Sequence, residues 1–176
     1  LRRKIAVGRA HERVRADRAR AGFELAREEG VEARKGPWWQ LRVFEDVAFF
    51  ENTNLELTGD GDPRRLEGAS VSTNLFATLG VSPAIGRMFA DDENQAGRNR
   101  VVLLSDALWT RRYTADRRVI GETIRVNGIA HTVIGVMPPR FKFPEFAELW
   151  VPFAPNAAGT PRDQRDFGVV GRLRSG

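Results

Sequence analysis

The chain has 176 residues, with 28 Lys and Arg against 23 Asp and Glu, 41% hydrophobic residues, eleven Phe, four Trp and no cysteine. That length suits one domain or two small subdomains and can bury a core. The composition excludes a disordered chain, and the absence of thiols excludes disulfides, cysteine nucleophiles and Cys-ligated metals.

No apolar run approaches the ~20 residues that cross a bilayer as a helix, and no signal-peptide pattern is present. The formal net charge of +5 is unevenly placed: residues 1–45 hold twelve Lys/Arg and seven Asp/Glu, and residues 46–176 hold sixteen of each. The excess belongs to an N-terminal arm, and the remainder of the chain is neutral.

Residues 1–30, rich in Ala, Arg and Glu and closed by Gly30, are predicted as a helix with a thin apolar stripe of Ala10, Val14, Ala21 and Leu25. "KGPWWQ" (35–40) reads as a linker. "VFEDVAFF" (43–50) places Phe44, Val47 and Ala48 at helical spacing. "NLELT" (54–58) alternates as a strand, "GDGDP" (59–63) is turn chemistry, and "RRLEGASVS" (64–72) returns as the second strand of a hairpin.

"STNLFATLG" (72–80) is predicted as a short helix with a polar cap and a closing Gly80. Residues 81–99, including Gly86 and Arg87, read as a long loop. A buried strand over Val101–Leu104 leads to Ser105 as helix N-cap, then to a helix carrying Leu108 and Trp109.

The clearest signal is "GETIRVNGIAHTVIGVMPP" (121–139). Asn127-Gly128 between two alternating runs specifies a two-residue turn with φ > 0 at both positions. The register follows: Val126 faces Ile129, Arg125 faces Ala130, Ile124 faces His131 and Thr123 faces Thr132. Ile124, Val126, Ile129, His131 and Val133 then share the face expected to be buried.

Pro138 and Pro139 break the second strand, "PPRFKFPEF" is a proline-punctuated loop, and "ELWVPF" (148–153) and "DFGVVGRLRS" (166–175) are further strands. Short helices among hairpins give an α+β fold with a mixed or mostly antiparallel sheet and helices on one side.

Residues that could carry chemistry have structural readings that fit better. His131 is a lone imidazole on an apolar face, where an aromatic would fit equally well; without partners it has no reaction to run. Ser105 sits where a serine hydrolase would hold its nucleophile, but Leu103 and Ala107 flank it in place of the glycines of a nucleophile elbow. N-capping fits it better, with Asp106 favourable to the helix dipole.

"DDEN" (91–94) lacks the alternating acidic spacing of a calcium loop. The scattered glycines form no phosphate loop, so no metal or cofactor is expected. The basic arm could grip an anionic surface or nucleic acid. However, acids interrupt it and no aromatics are interleaved to stack bases. Phe141 and Phe143, beside Arg140 and Lys142, either tuck under the sheet, as their period of 2 favours, or form an exposed tip that meets a partner.

From about Phe44 onward the chain resembles the extracytoplasmic core domain of MacB-type, FtsX-like ABC-transporter permeases, nearest the orphan permeases without a fused ATPase. The resemblance is carried by "FEDVAFFENTNLELTGDGDPRRLEGASVSTNLFATLGVSPAIGRMF", "VVLLSDALWTRRY", "RRVIGETIRVNGIAHTVIGVMPPRFKFP" and "LWVPF", in that order over roughly 130 residues. The turn and motif positions are Gly80, Gly86, Arg87, Ser105, Trp109, Asn127, Gly128, Pro138 and Pro139.

The resemblance implies a non-catalytic, two-subdomain body held outside the cytoplasmic membrane between two transmembrane helices that flank it. It implies a permease dimer and a cytosolic ATPase subunit whose ATP hydrolysis drives export or extraction of a substrate. A periplasmic adaptor is a further partner it allows, and it gives no role to nucleic acid. On this reading residues 1–40 are a basic helical arm and linker outside the family pattern. Residues 41–176 are the core domain, stopping short at "VVGRLRSG".

Overall fold

The computed structural model describes residues 5–10, 44–58, 63–154 and 167–173. Among the described residues, nine strands belong to one hydrogen-bonded sheet: β1 (Ile5–Ala10), β2 (Phe44–Thr58), β3 (Arg64–Val71), β4 (Ile85–Gly86), β5 (Val101–Leu104), β6 (Thr123–Val126), β7 (Ile129–Val136), β8 (Leu149–Pro152) and β9 (Phe167–Leu173). Two short helices accompany them, α1 (Leu75–Leu79) and α2 (Asp106–Tyr113). The pairs β3/β8 and β5/β7 are parallel and the rest antiparallel, so the sheet is mixed.

The pairing closes on itself. β2 pairs β3, β3 pairs β8, β8 pairs β5, β5 pairs β7, β7 pairs β6, and β6 returns to β2 through Leu57↔Val126 and Thr58↔Arg125. This six-stranded ring is a small barrel, and the side chains confirm which face is inside. Every ring strand contributes to one buried cluster: Leu55 and Leu57, Leu66, Leu149, Val102 and Leu104, Val133 and Val136, Ile124 and Val126. A barrel of this size has room only for side chains. Leu108 of α2 and Val119 join the same cluster.

The alternate residues build a second core on the outer face, from Ala69, Val71, Val101, Leu103, Ile134 and Trp150, covered by Leu75 and Phe76 of α1 and by Phe89. The two helices therefore serve different cores and do not share one side of the sheet.

Of the region read at helical spacing over 43–50, the described residues 44–50 are the first half of the 15-residue strand β2. Phe44, Val47 and Ala48 do fall at helical spacing, but β2 is flanked by β9 and by β3, and those ladders override the local pattern. The same correction applies to Ile5–Ala10, which pairs with β9 as β1 where a helix was expected; the rest of that predicted helix lies outside the described residues. Glycines in β9 leave room for rings from β2: a Cβ on Gly168 would sit 2.1 Å from the Phe50 ring, and one on Gly171 would sit 2.5 Å from the Phe44 ring. Such rings over strand glycines help pin register.

The hairpin register is as the turn dictates, from Val126↔Ile129 to Thr123↔Thr132, with φ of 50° at Asn127 and 75° at Gly128. Its burial differs at one position. Ile129 is 50% exposed, because β5 begins opposite Thr132 and leaves the hairpin tip projecting past it. Ile134, which alternation puts on the face opposite Val133, is buried as well. That opposite face carries the second core, which covers Ile134; the bulge, where Val102 pairs with Val133 and Leu103 with Gly135, instead returns Val136 to the inner cluster beside Val133.

The stretch 81–99 is also more ordered than a loop. It contains β4 and a 3₁₀ turn at Asp91–Asn94.

Candidate functional site

Ser105 leaves β5 in extended conformation and its hydroxyl accepts a hydrogen bond from the Leu108 amide at 3.1 Å, which makes it the N-cap of α2. His131 is buried, and its Nδ1 lies 3.0 Å from the carbonyl oxygen of Ile129 in the same strand. Burial is the main influence lowering the imidazole pKa; the Ile129 carbonyl raises it and Arg100 lowers it further.

The ladder fixes how far apart the two residues lie. Leu104 pairs with Val136 and Val101 with Thr132, so Ser105 and His131 are at opposite ends of the β5/β7 pair. Five residues of strand rise separate them by ~16 Å. A proton cannot pass between them directly, so the geometry does not offer His131 as a base for Ser105.

Gly86 crosses Gly135 where β4 meets β7. Arg87, next to it, folds back to make a bidentate pair with Glu93, at 3.0 and 2.6 Å, and donates to the Met88 carbonyl at 2.9 Å. Glu93 is buried and also accepts from the Ala90 amide at 2.7 Å. The acidic stretch "DDEN" thus uses its glutamate to lock the segment that delivers Phe89 to the outer core. Among the described residues, no group of three His, Asp or Glu could hold a metal ion.

Trp109 packs against the inner core and its indole N–H donates to the Asp116 carbonyl at 2.8 Å. Gly80 ends α1 in the left-handed conformation. Asn74 occupies the N-cap position of α1 but does not cap it. Its amide donates instead to Asp46 and to the Val47 carbonyl, while the Thr78 hydroxyl donates to the other Asp46 oxygen at 2.6 Å. From the far side, Arg172 donates to the carbonyls of Thr78, at 2.8 Å, and Ala77. Sequence reasoning missed this polar clamp of α1 between β2 and β9, because its members are distant in sequence.

After Pro138 and Pro139 the chain turns through a hydrogen bond from the Phe141 amide to the Pro138 carbonyl at 2.9 Å. Phe141 then packs on Phe76 and Trp150, with ring centres 5.7 and 5.5 Å apart. Phe143 meets Phe50 edge-on at 4.9 Å, and its carbonyl accepts from the Trp150 indole. The two rings are half-buried against the outer core. The exposed ring of this loop is Phe146, 70% exposed and at φ 78°, an unusual conformation for a bulky residue.

The residues singled out by the sequence are dispersed and each is engaged in capping, turning or packing. What they build is a mixed-sheet α+β domain, a closed barrel with a second core outside it. The chain belongs to the MacB-like periplasmic core domain family, whose model matches residues 5–176 and so includes β1, upstream of the resemblance read from Phe44.

The fold is shared with the periplasmic region of MacB from Actinobacillus actinomycetemcomitans, at a TM-score of 0.59 and 16% identity over 74% of this chain and 58% of that one. It is shared too with the extracellular domain of the noncanonic ABC-type transporter YknZ from Gram-positive bacteria, at a TM-score of 0.57 and 16% identity over 75% and 66%. The chain therefore spans less than two thirds of either structure. No curated protein matches the sequence.

Proposed function

We propose that this chain is the extracytoplasmic domain of an ABC-transporter permease, a body that is moved and does not itself transform molecules. The observation that carries the reading is the family match over residues 5–176. The barrel supports it physically: two buried cores share one sheet, so a force applied at one strand reaches the whole domain with little loss in internal deformation. On this reading a cytosolic ATPase subunit powers the motion, two permease copies act as a pair, and the substrate is exported or extracted on the periplasmic side. A periplasmic adaptor is compatible with the same arrangement.

The absence of cysteine in this segment provides a direct test. Single substitutions at exposed positions, Arg125→Cys and Lys142→Cys, in the full-length parent protein should react with a membrane-impermeant maleimide in intact spheroplasts. Labelling only after lysis would place the domain in the cytosol and overturn the proposal. In the same parent, deleting the domain should abolish transport while the partner ATPase still hydrolyses ATP.

A further inference from the structure

The barrel closes at a narrow seam. β6 meets β2 through two residue pairs, Leu57↔Val126 and Thr58↔Arg125. Beyond them the hairpin turn is fastened by one residue: the Asn127 amide donates to the Glu56 carbonyl at 2.8 Å, and the Asn127 side-chain oxygen accepts from the Glu56 amide at 2.8 Å. Asn127 thus imitates one more step of the ladder from within a turn.

The same residue carries a chemical liability. It is exposed and followed by Gly128, which has no Cβ to obstruct its own backbone nitrogen. Each other asparagine precedes a larger residue: Asn52, Asn54, Asn74, Asn94, Asn99 and Asn156 are followed by Thr53, Leu55, Leu75, Gln95, Arg100 and Ala157. Asn52 and Asn54 are also held within β2, and the Asn74 amide is engaged by Asp46 and Val47.

We propose that Asn127 is a deamidation site, and that its isoaspartyl product unfastens the seam joining β2 to β6. The Gly128 backbone nitrogen gives its proton to solvent and attacks the side-chain carbonyl carbon of Asn127. A C–N bond forms, the side-chain nitrogen leaves as ammonia, and a cyclic imide remains. Water then opens one of the two imide C–N bonds, so one water is consumed and one ammonia released.

The two products have opposite consequences. Opening that restores the backbone gives aspartate, whose carboxylate still accepts from the Glu56 amide, as a charged acceptor at least as strong as the amide oxygen. Opening the other way routes the backbone through the side chain and adds a methylene to a two-residue turn. Hairpin register is fixed by turn length, so the isoaspartyl turn cannot place its amide and its acceptor on Glu56 together.

The fold also sets the rate. The attack needs the turn released from Glu56, and two hydrogen bonds of ordinary net strength hold the reactive fraction down roughly tenfold to a hundredfold.

The test is to age the full-length protein in mildly alkaline buffer, map asparagine peptides by fragmentation that separates aspartyl from isoaspartyl products, and follow hydrogen exchange at the Glu56 amide. Deamidation should concentrate at Asn127, roughly tenfold to a hundredfold slower than in the urea-unfolded chain. Isoaspartyl molecules should lose protection at Glu56, whereas Asn127→Asp should keep it. An unreacted Asn127 beside deamidation elsewhere would overturn the proposal, as would isoaspartyl molecules with undiminished protection at Glu56 or an Asn127→Asp variant that loses it.

Discussion

Replacing Gly86 by alanine separates two costs that glycine substitutions usually mix. At Gly86 φ is 81°, and an added Cβ would lie 2.2 Å from the Ile134 carbonyl oxygen and 2.6 Å from the Gly135 Cα. An L-residue in the left-handed region costs about 1–2 kcal/mol by itself. The overlapping atoms are backbone, so relief requires β4 to lift from β7. That strains the flanking bonds from the Ala84 amide to the Val136 carbonyl, at 2.8 Å, and from the Arg87 amide to the Ile134 carbonyl, at 2.9 Å.

At about 0.5–1.5 kcal/mol for each bond, the second cost is about 1–3 kcal/mol. Gly128 supplies the control: its φ is 75° but nothing lies within 4 Å of an added Cβ. Gly128→Ala should therefore cost only the conformational part, and the unfolded-state benefit of alanine, the same in both variants, cancels in the comparison. In urea titrations with an m-value of about 1–3 kcal/mol/M, the Gly86→Ala midpoint should fall below that of Gly128→Ala by ~1 M. Equal midpoints would mean that the β4–β7 crossing relaxes freely, and the steric argument would be wrong.

Two further expectations follow from single residues. Because burial lowers the His131 pKa from its ordinary 6.5, the fold favours the neutral ring. Its contribution is therefore complete above the unfolded value and declines as pH falls through about 6.5 toward the folded pKa. His131→Phe should flatten that acid-side loss in thermal melts across the window, and an unchanged slope would assign it to other groups. Ser105→Ala should cost about 1 kcal/mol through the lost cap of α2, read as a lower urea midpoint. Labelling of Ser105 by a phosphonate probe would reopen the nucleophile reading.

The packed position of His131 was legible early, because alternation about the turn puts it on the face expected to be buried, and it is buried. The Asn127-Gly128 turn was legible for a related reason. A two-residue loop admits one geometry, so the pairing from Val126↔Ile129 to Thr123↔Thr132 follows from local chemistry alone. The Ser105 cap is equally local, reaching only to Leu108.

Tertiary contacts decided the rest. Phe44–Phe50 became strand because β9, arriving from more than a hundred residues away, supplies a ladder that local spacing cannot announce. Ile134 is buried and Ile129 exposed because the second core on the outer face, and the point where β5 begins, lie outside the hairpin's own sequence. The closure of six strands into a barrel, and the clamp of α1 by Asp46 and Arg172, depend on pairs distant in the chain. Turn and cap geometry depends on a few adjacent dihedrals and is written residue by residue. Ring closure and face assignment are properties of the whole sheet, settled only when every strand has found its neighbour.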